Sequence, residues 1–259
     1  MLAKRCRTTN GIRVYLCGSV AIESADRLVR DGDLGGRQGR LLFVFLMSRA
    51  AQPVAKAELV RAMWEDPPPS ADTALNAVVS KLRRVLRSLE IDAPHGVCTD
   101  VGTYRLALPS PWVDLEVART AADRAEGALR RGELCAAWAD ANVAATIAQQ
   151  PFLPDESRGW VRRQRDVLSR VWRRSLLVLA DVSTKNGEHE LGVHYASQVA
   201  DAEPFDELAC QSLMRAHATA GNRAEALRVY ARCRKLFRDE LGTEPSEKTA
   251  GVFLSILKS

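Results

Sequence analysis

Apolar residues return at the helical interval along most of this chain, and the clearest instance is residues 73–89. At about 100° per residue, Leu75, Val78, Val79, Leu82, Val85, Leu86 and Leu89 share one arc. Asn76, Ser80, Arg84 and Arg87 take the opposite arc, with Thr73 and Ala77 beside them and Lys81 and Arg83 on the flanks. No acid stands between Asp72 and Glu90. A solvated helix face usually mixes Glu with Lys. A face of cations and short polar residues, backed by an aliphatic one, suits a helix seated on a small core and pressed into a DNA major groove. An ordinary surface helix fits the same pattern, so its neighbours decide.

Ahead of it, Ile12–Cys17 and Val20–Glu23 alternate and carry β-branched and aromatic residues, predicting two strands around Gly18-Ser19. Asp31-Gly-Asp33 and Gly35-Gly36 mark further turns or short strands of a small antiparallel sheet. Gln38–Ala50 is predicted helical, with Leu41, Leu42, Val44, Phe45 and Leu46 inward; Lys56–Trp64 is a second helix. Arg37 and Arg40 stand at the start of the first helix, where outward N–H groups favour phosphate; plain solvation of both is the alternative. Three prolines make Glu65–Ser70 a stiff connector, and Ser70 or Asp72 can cap the third helix. After a break at 92–96, Val97–Thr99 and Thr103–Ala107 predict a hairpin. Sheet, three helices with a basic third, then hairpin is a winged helix-turn-helix order.

Beyond a stiff Pro109–Trp112 junction the pattern turns almost wholly helical: 114–130, a helix from 132 ending before Pro151, and a long helix over 156–185. Gly187-x4-Gly192-Val193-x-x-Ala196 recurs as Gly221-x4-Ala226-Leu227-x-x-Tyr230, an offset of 34 residues, which is the tetratricopeptide period. Gly132-x4-Ala137-Trp138-x-x-Ala141 is an out-of-phase third copy. A short stack of helix hairpins is expected.

Charge sharpens this division. The whole excess of +5 lies in residues 1–109, which hold 16 Lys and Arg against 11 Asp and Glu; residues 110–259 hold 21 of each. A nucleic-acid-facing half joined to a neutral half is the implication. Six cysteines show no CxxC pair, no secretory leader opens the chain, and Leu41–Met47 is too short to span a bilayer. A reduced, cytoplasmic protein without a membrane role is expected. His189 and His194 lie five apart, about 140° around a helix, so they do not form a zinc-protease pair. There is no P-loop, GxGxxG or GxSxG, so no cofactor and no enzymatic activity is expected.

Arg49–Trp64, Ala74–Leu86 (with Ser80-Lys-Leu-Arg-Arg-Val-Leu86) and Val101-Gly-Thr-Tyr-Arg-Leu106 resemble the OmpR-type winged helix, in the version found in the Streptomyces antibiotic regulatory protein family. Asp201–Met214, Ala220–Tyr230 and Glu240–Ser246 resemble the bacterial transcriptional activation domain of that family. The resemblance covers roughly residues 12–257. It implies a mainly α fold with a small β component: a winged-helix domain over 1–110 and an all-α, tetratricopeptide-like domain over 111–259. It also implies that the nucleotide- or phosphopeptide-binding modules of larger relatives are lacking. Asn76, Ala77, Ser80 and Lys81 are implied to face base edges, and Arg83, Arg84, Arg87, Arg37 and Arg40 to hold phosphates. Thr73, Thr103 and Arg105 complete the DNA-binding set. The implied partners are promoter DNA, RNA polymerase through its sigma and alpha subunits, and a second copy of the chain, at least on DNA. The expected function is a sequence-specific activator of secondary-metabolite or pathway genes, binding direct repeats on the nucleoid. Alternatives are a repressor with the same fold and a regulator gated by a small molecule or partner that the helical domain senses.

Overall fold

The computed structural model describes residues 11–91 and 95–258. Cys6 and the first three residues of the break expected at 92–96 lie outside them. By compactness the chain divides into two units: residues up to Val117 together with Gln150–Asp166, and Ala118–Gln149 together with Val167–Ser259.

The first unit opens with strands β1 (Arg13–Tyr15), β2 (Ala21–Ser24) and β3 (Arg27–Arg30), followed by a short 3-10 turn. Helix α1 (Gly36–Met47) comes next, then β4 (Val54–Ala55), α2 (Lys56–Met63), α3 (Ala71–Ser88), the hairpin β5 (Gly96–Asp100) and β6 (Thr103–Ala107), and β7 (Trp112–Val113). Two sheets result, ordered β3-β2-β1-β7 and β4-β6-β5. The expected winged order is present. Two strands were not expected. β4 is two residues long, and β7 pairs parallel with β1, Val14 opposite Val113; the Pro109–Trp112 stretch therefore leads into a strand of the N-terminal sheet.

Helix α1 starts two residues before the expected point and ends three before it. Its end follows from the backbone: Ala50 and Ala51 take φ of 48° and 62°, in the left-handed region that helices cannot continue through. Every residue from Leu41 to Met47 is buried. A helix apolar on all sides belongs at the centre of its domain, and α1 contacts α2, α3 and β6. At its start Gly39 has no room for a side chain, since a Cβ there would lie 1.9 Å from the Leu34 carbonyl oxygen. Ser70 holds the N-cap position of α3 without a side-chain cap bond, and Asp72 instead pairs with Lys56 at 2.6 Å.

Helix α4 (Asp114–Arg131) begins at a buried acid. The Asp114 carboxylate accepts the N–H groups of Leu16 and Cys17, each at 2.9 Å, which anchors the chain after β1. Burial holds this acid above the usual carboxylate range although those N–H bonds oppose it, and pushes the Cys17 thiol up.

α5 (Leu134–Ala148), α6 (Gly159–Lys185), α7 (His189–Ala202), α8 (Glu207–Thr219), α9 (Arg223–Leu241) and α10 (Glu247–Lys258) complete the chain. In the second unit Ala125, Ala128, Ala137, Ala141 and Ala145 form a close-packed seam with Leu176, Leu179 and Val182. The repeat is confirmed in three dimensions. α7 and α9 begin 34 residues apart, at His189 and Arg223. Each follows a glycine with positive φ, Gly187 at 83° and Gly221 at 78°. At Gly192 a Cβ would come within 2.5 Å of Thr184 Oγ1, so a small residue here sets the approach of α7 to α6. The tryptophans differ in setting: Trp138 is 45% exposed, and Trp112 packs on Tyr15 at the sheet edge.

Candidate nucleic-acid interface

The two faces read from the sequence of α3 separate in the structure. Leu75, Val79, Leu82 and Leu86 are buried and Val78 and Val85 half-buried, while Thr73, Asn76, Ala77, Ser80, Lys81, Arg84 and Arg87 are all exposed. Apolar burial on α1 therefore fixes the rotation of the helix and turns its polar face outward.

The wing is tied to that face by two contacts. Arg83, half-buried, donates from Nε to the Val97 carbonyl at 3.0 Å and from Nη2 to Thr99 Oγ1 at 2.6 Å. Its guanidinium is thus committed to β5, and its first role is to position the wing. The buried Tyr104, on β6, donates from its hydroxyl to Asn76 Oδ1 at 3.2 Å. That bond orients the Asn76 amide and leaves its Nδ2 donors uncommitted among the described residues. Thr103 Oγ1 donates to the Asp100 carbonyl at 2.7 Å and closes the wing turn. Arg105 is exposed on β6, opposite Cys98. At the tip, Val101 is 97% exposed. Lys81 lies beside the turn that precedes α1, its Cβ 3.4 Å from where a Cβ on Gly35 would stand.

Arg37 and Arg40 are placed differently from the phosphate contacts they were expected to be. Arg37 forms a two-pronged pair with Glu156, Nε to Oε1 at 2.7 Å and Nη2 to Oε2 at 2.9 Å. Arg40 lies 3.9 Å from the same carboxylate and 3.7 Å from Asp31, and Arg158 also bonds to Glu156. The Glu156 side chain has no exposed surface. A buried carboxylate is costly unless paired, and three arginines meet that need here. The Glu156 bond holds the Arg37 guanidinium above its ordinary range. A phosphate reaching Arg37 has to share it with this acid.

Sequence reasoning missed Glu156, the orienting Tyr104 and the wing-bound state of Arg83. Tyr104 carried a usable signal, because an aromatic residue inside a wing strand points alternately inward. Glu156 carried none, sitting 119 residues from Arg37 in a proline-flanked turn. Among the described residues no group of three or more His, Cys, Asp or Glu could hold a metal ion. No helix among them is long and apolar enough to cross a membrane.

Comparison with known proteins places both halves. The family described as bacterial transcriptional activator domain matches residues 113–257, and the family described as transcriptional regulatory protein, C terminal, matches residues 31–102. Regulatory protein AfsR of Streptomyces coelicolor is 32% identical over 225 residues, covering 85% of this chain and 22% of that protein. Regulatory protein DnrI of Streptomyces peucetius is 27% identical over 233 residues, covering 86% of this chain and 85% of that protein. The chain thus spans about a fifth of AfsR and most of DnrI. Mycobacterium tuberculosis EmbR, solved in complex with a low-affinity phosphopeptide, shares the fold, with a TM-score of 0.85 over 95% of this chain and 65% of that one at 21% identity.

Proposed function

Because the chain belongs to the Streptomyces antibiotic regulatory protein family, an OmpR-type winged helix followed by a bacterial transcriptional activator domain, we propose that it is a sequence-specific, promoter-binding transcriptional activator. The observation that carries this is the exposed face of α3, free of acids between Asp72 and Glu90 and braced against the wing through Arg83 and Tyr104. In this reading α3 enters the major groove. Asn76, Ala77, Ser80 and Lys81 meet base edges, with Asn76 giving N–H donors to acceptors such as purine N7 or thymine O4. Thr73, Arg84 and Arg87 hold backbone phosphates, and Thr103 and Arg105 carry the wing along the neighbouring groove. Arg37 and Arg40 add phosphate contacts only in so far as Glu156 yields them. The chain acts in the cytoplasm, on the nucleoid, binding direct repeats as a side-by-side dimer and recruiting RNA polymerase; the names of its relatives as regulatory proteins support the regulatory part of this reading.

Lys81→Ala is expected to relax base preference, whereas Arg84→Ala and Arg87→Ala weaken all sequences alike and each lower the slope of log affinity against log salt by about 1. Titration of promoter and scrambled duplexes at several salt concentrations measures both. A Lys81→Ala protein with unchanged affinity and unchanged preference would remove α3 from the groove.

A further inference from the structure

The first unit carries a second cationic feature, built from residues other than those assigned to DNA. A cleft of about 470 Å³ lies between α2, the end of α1 and the start of α6. Its floor includes the buried rings of Phe45 and Trp160, which meet edge to face at 5.1 Å. Trp160 Nε1 donates to the Ala62 carbonyl at 3.1 Å and Arg158 Nη2 to the Met63 carbonyl at 3.0 Å, so the start of α6 is fastened to the end of α2. The cleft is therefore built rather than an accident of loops.

Its charges do not balance. Arg49 is paired with Glu58. Arg61, Arg162 and Arg163 are exposed and have no ion-pair partner among the described residues. Against these three cations stands only Glu65, which takes a hydrogen bond from Ser157 Oγ at 3.3 Å. Arg163 folds back over the first turn of α6, its Nη1 3.6 Å from the Cβ position of Gly159. There the leading N–H groups of a 27-residue helix lack intrahelical acceptors and add positive potential. Arg158, with one-tenth of its side chain exposed, lines the same cleft, and its buried Nε has no hydrogen-bond partner.

We propose that this cleft is a docking site for an acidic segment of a protein partner, a short stretch in which Asp or Glu alternates with apolar residues. Three unpaired arginine forks match carboxylates by charge and by shape. The rim also holds Glu58 and Glu65, which would repel a compact polyphosphate. A chain with spaced acids can step past them. The cleft adjoins Glu65, so a partner seated here would touch the start of the proline-stiffened loop that leads to α3. The inference names a partner class for the transcriptional reading and rests on that reading for its meaning, but its binding test is independent of DNA.

The test uses the whole chain and a fluorescein-labelled twelve-residue peptide alternating Glu and Asp with Leu and Phe, followed by anisotropy. The expected result is binding that weakens with salt, with no comparable binding of the Gln/Asn version. Combined Arg61→Glu, Arg162→Glu and Arg163→Glu should weaken it at least about tenfold, and the milder set of three Gln substitutions by less. These side chains are exposed and unpaired, so thermal unfolding should not move. Promoter affinity should stay within about twofold, which separates failure of this inference from failure of the DNA assignment. Equal binding of the two peptides, or indifference to the substitutions, would overturn the proposal. So would displacement of the peptide by low concentrations of inorganic phosphate or pyrophosphate, marking a small-anion site, or a parallel loss of promoter affinity, marking part of the DNA surface.

Discussion

At the scale of single residues, the decisive groups are charged ones in two contrasting settings. Glu156 is fully buried beneath three arginines. Its replacement by Gln keeps the shape and removes the charge, leaving Arg37 and Arg158 without their ion-pair partner and Arg40 with Asp31 alone. Glu156→Gln should cost the first unit about 3 kcal/mol in denaturant unfolding, as breaking one side of a buried pair does; a loss below about 1 kcal/mol would mean that the arginines relax into solvent. Glu244 is the exposed counterpart. Bonds from Arg234 and Arg238 lower its carboxyl to about 2. A depressed acid stabilises the fold above its unfolded value and loses that contribution as pH falls through the folded one. Its hold on the end of α9 should therefore persist below pH 4 and fade near 2. Carboxyl NMR titration reads this directly, and Arg234→Ala should move the midpoint upward. A wild-type midpoint near the model-compound value would refute the pairing. Neither setting was legible from spacing. Arg234 and Glu244 are near in sequence, yet the turn after α9 that brings them together is set by Gly242 in the left-handed conformation. Arg37 and Glu156 meet only through the tertiary fold.

At the scale of elements, local periodicity was the reliable guide. The two faces of α3, the hairpin and the 34-residue repeat each depend on neighbours within a few turns, so the sequence displays them. What it hid are elements too short to show a period: two-residue β4 and β7 exist because partner strands offer them hydrogen bonds. The end of α1 was also hidden, because the alanines that follow it, good helix formers, stand at Ala50 and Ala51 in the left-handed conformation. The start of α1 depends on one absent methyl group. Gly39→Ala would drive a Cβ into the Leu34 carbonyl, and backbone atoms cannot rotate aside. This substitution should cost about 3 kcal/mol and lower promoter affinity through displacement of the turn beside Lys81; unchanged melting and binding would show that the helix start tilts without penalty.

At the scale of the whole molecule, the sequence character changes once, near residue 110, and the fold does not follow a single cut. The DNA-reading unit takes in Gln150–Asp166 after the chain has passed through Ala118–Gln149. The acidic-segment cleft was illegible for this reason: its arginines come from residues 49–61 and 158–163, stretches that look unremarkable apart. The same separation kept the positioning of Arg37 out of reach, while the exposed polar face of α3 was readable throughout. That discontinuity also orders events in time. On the ribosome, the segment bearing Glu156 and Trp160 emerges some 40 residues after Val117, a delay of roughly 2–8 s at bacterial synthesis rates. Until then Arg37 lacks the carboxylate it pairs with, and the Ala62 and Met63 carbonyls lack the side-chain donors of Trp160 and Arg158. A nascent chain thus cannot complete the unit that carries α3 and the wing before part of the activator domain has been made, so translation that halts early leaves that unit unfinished.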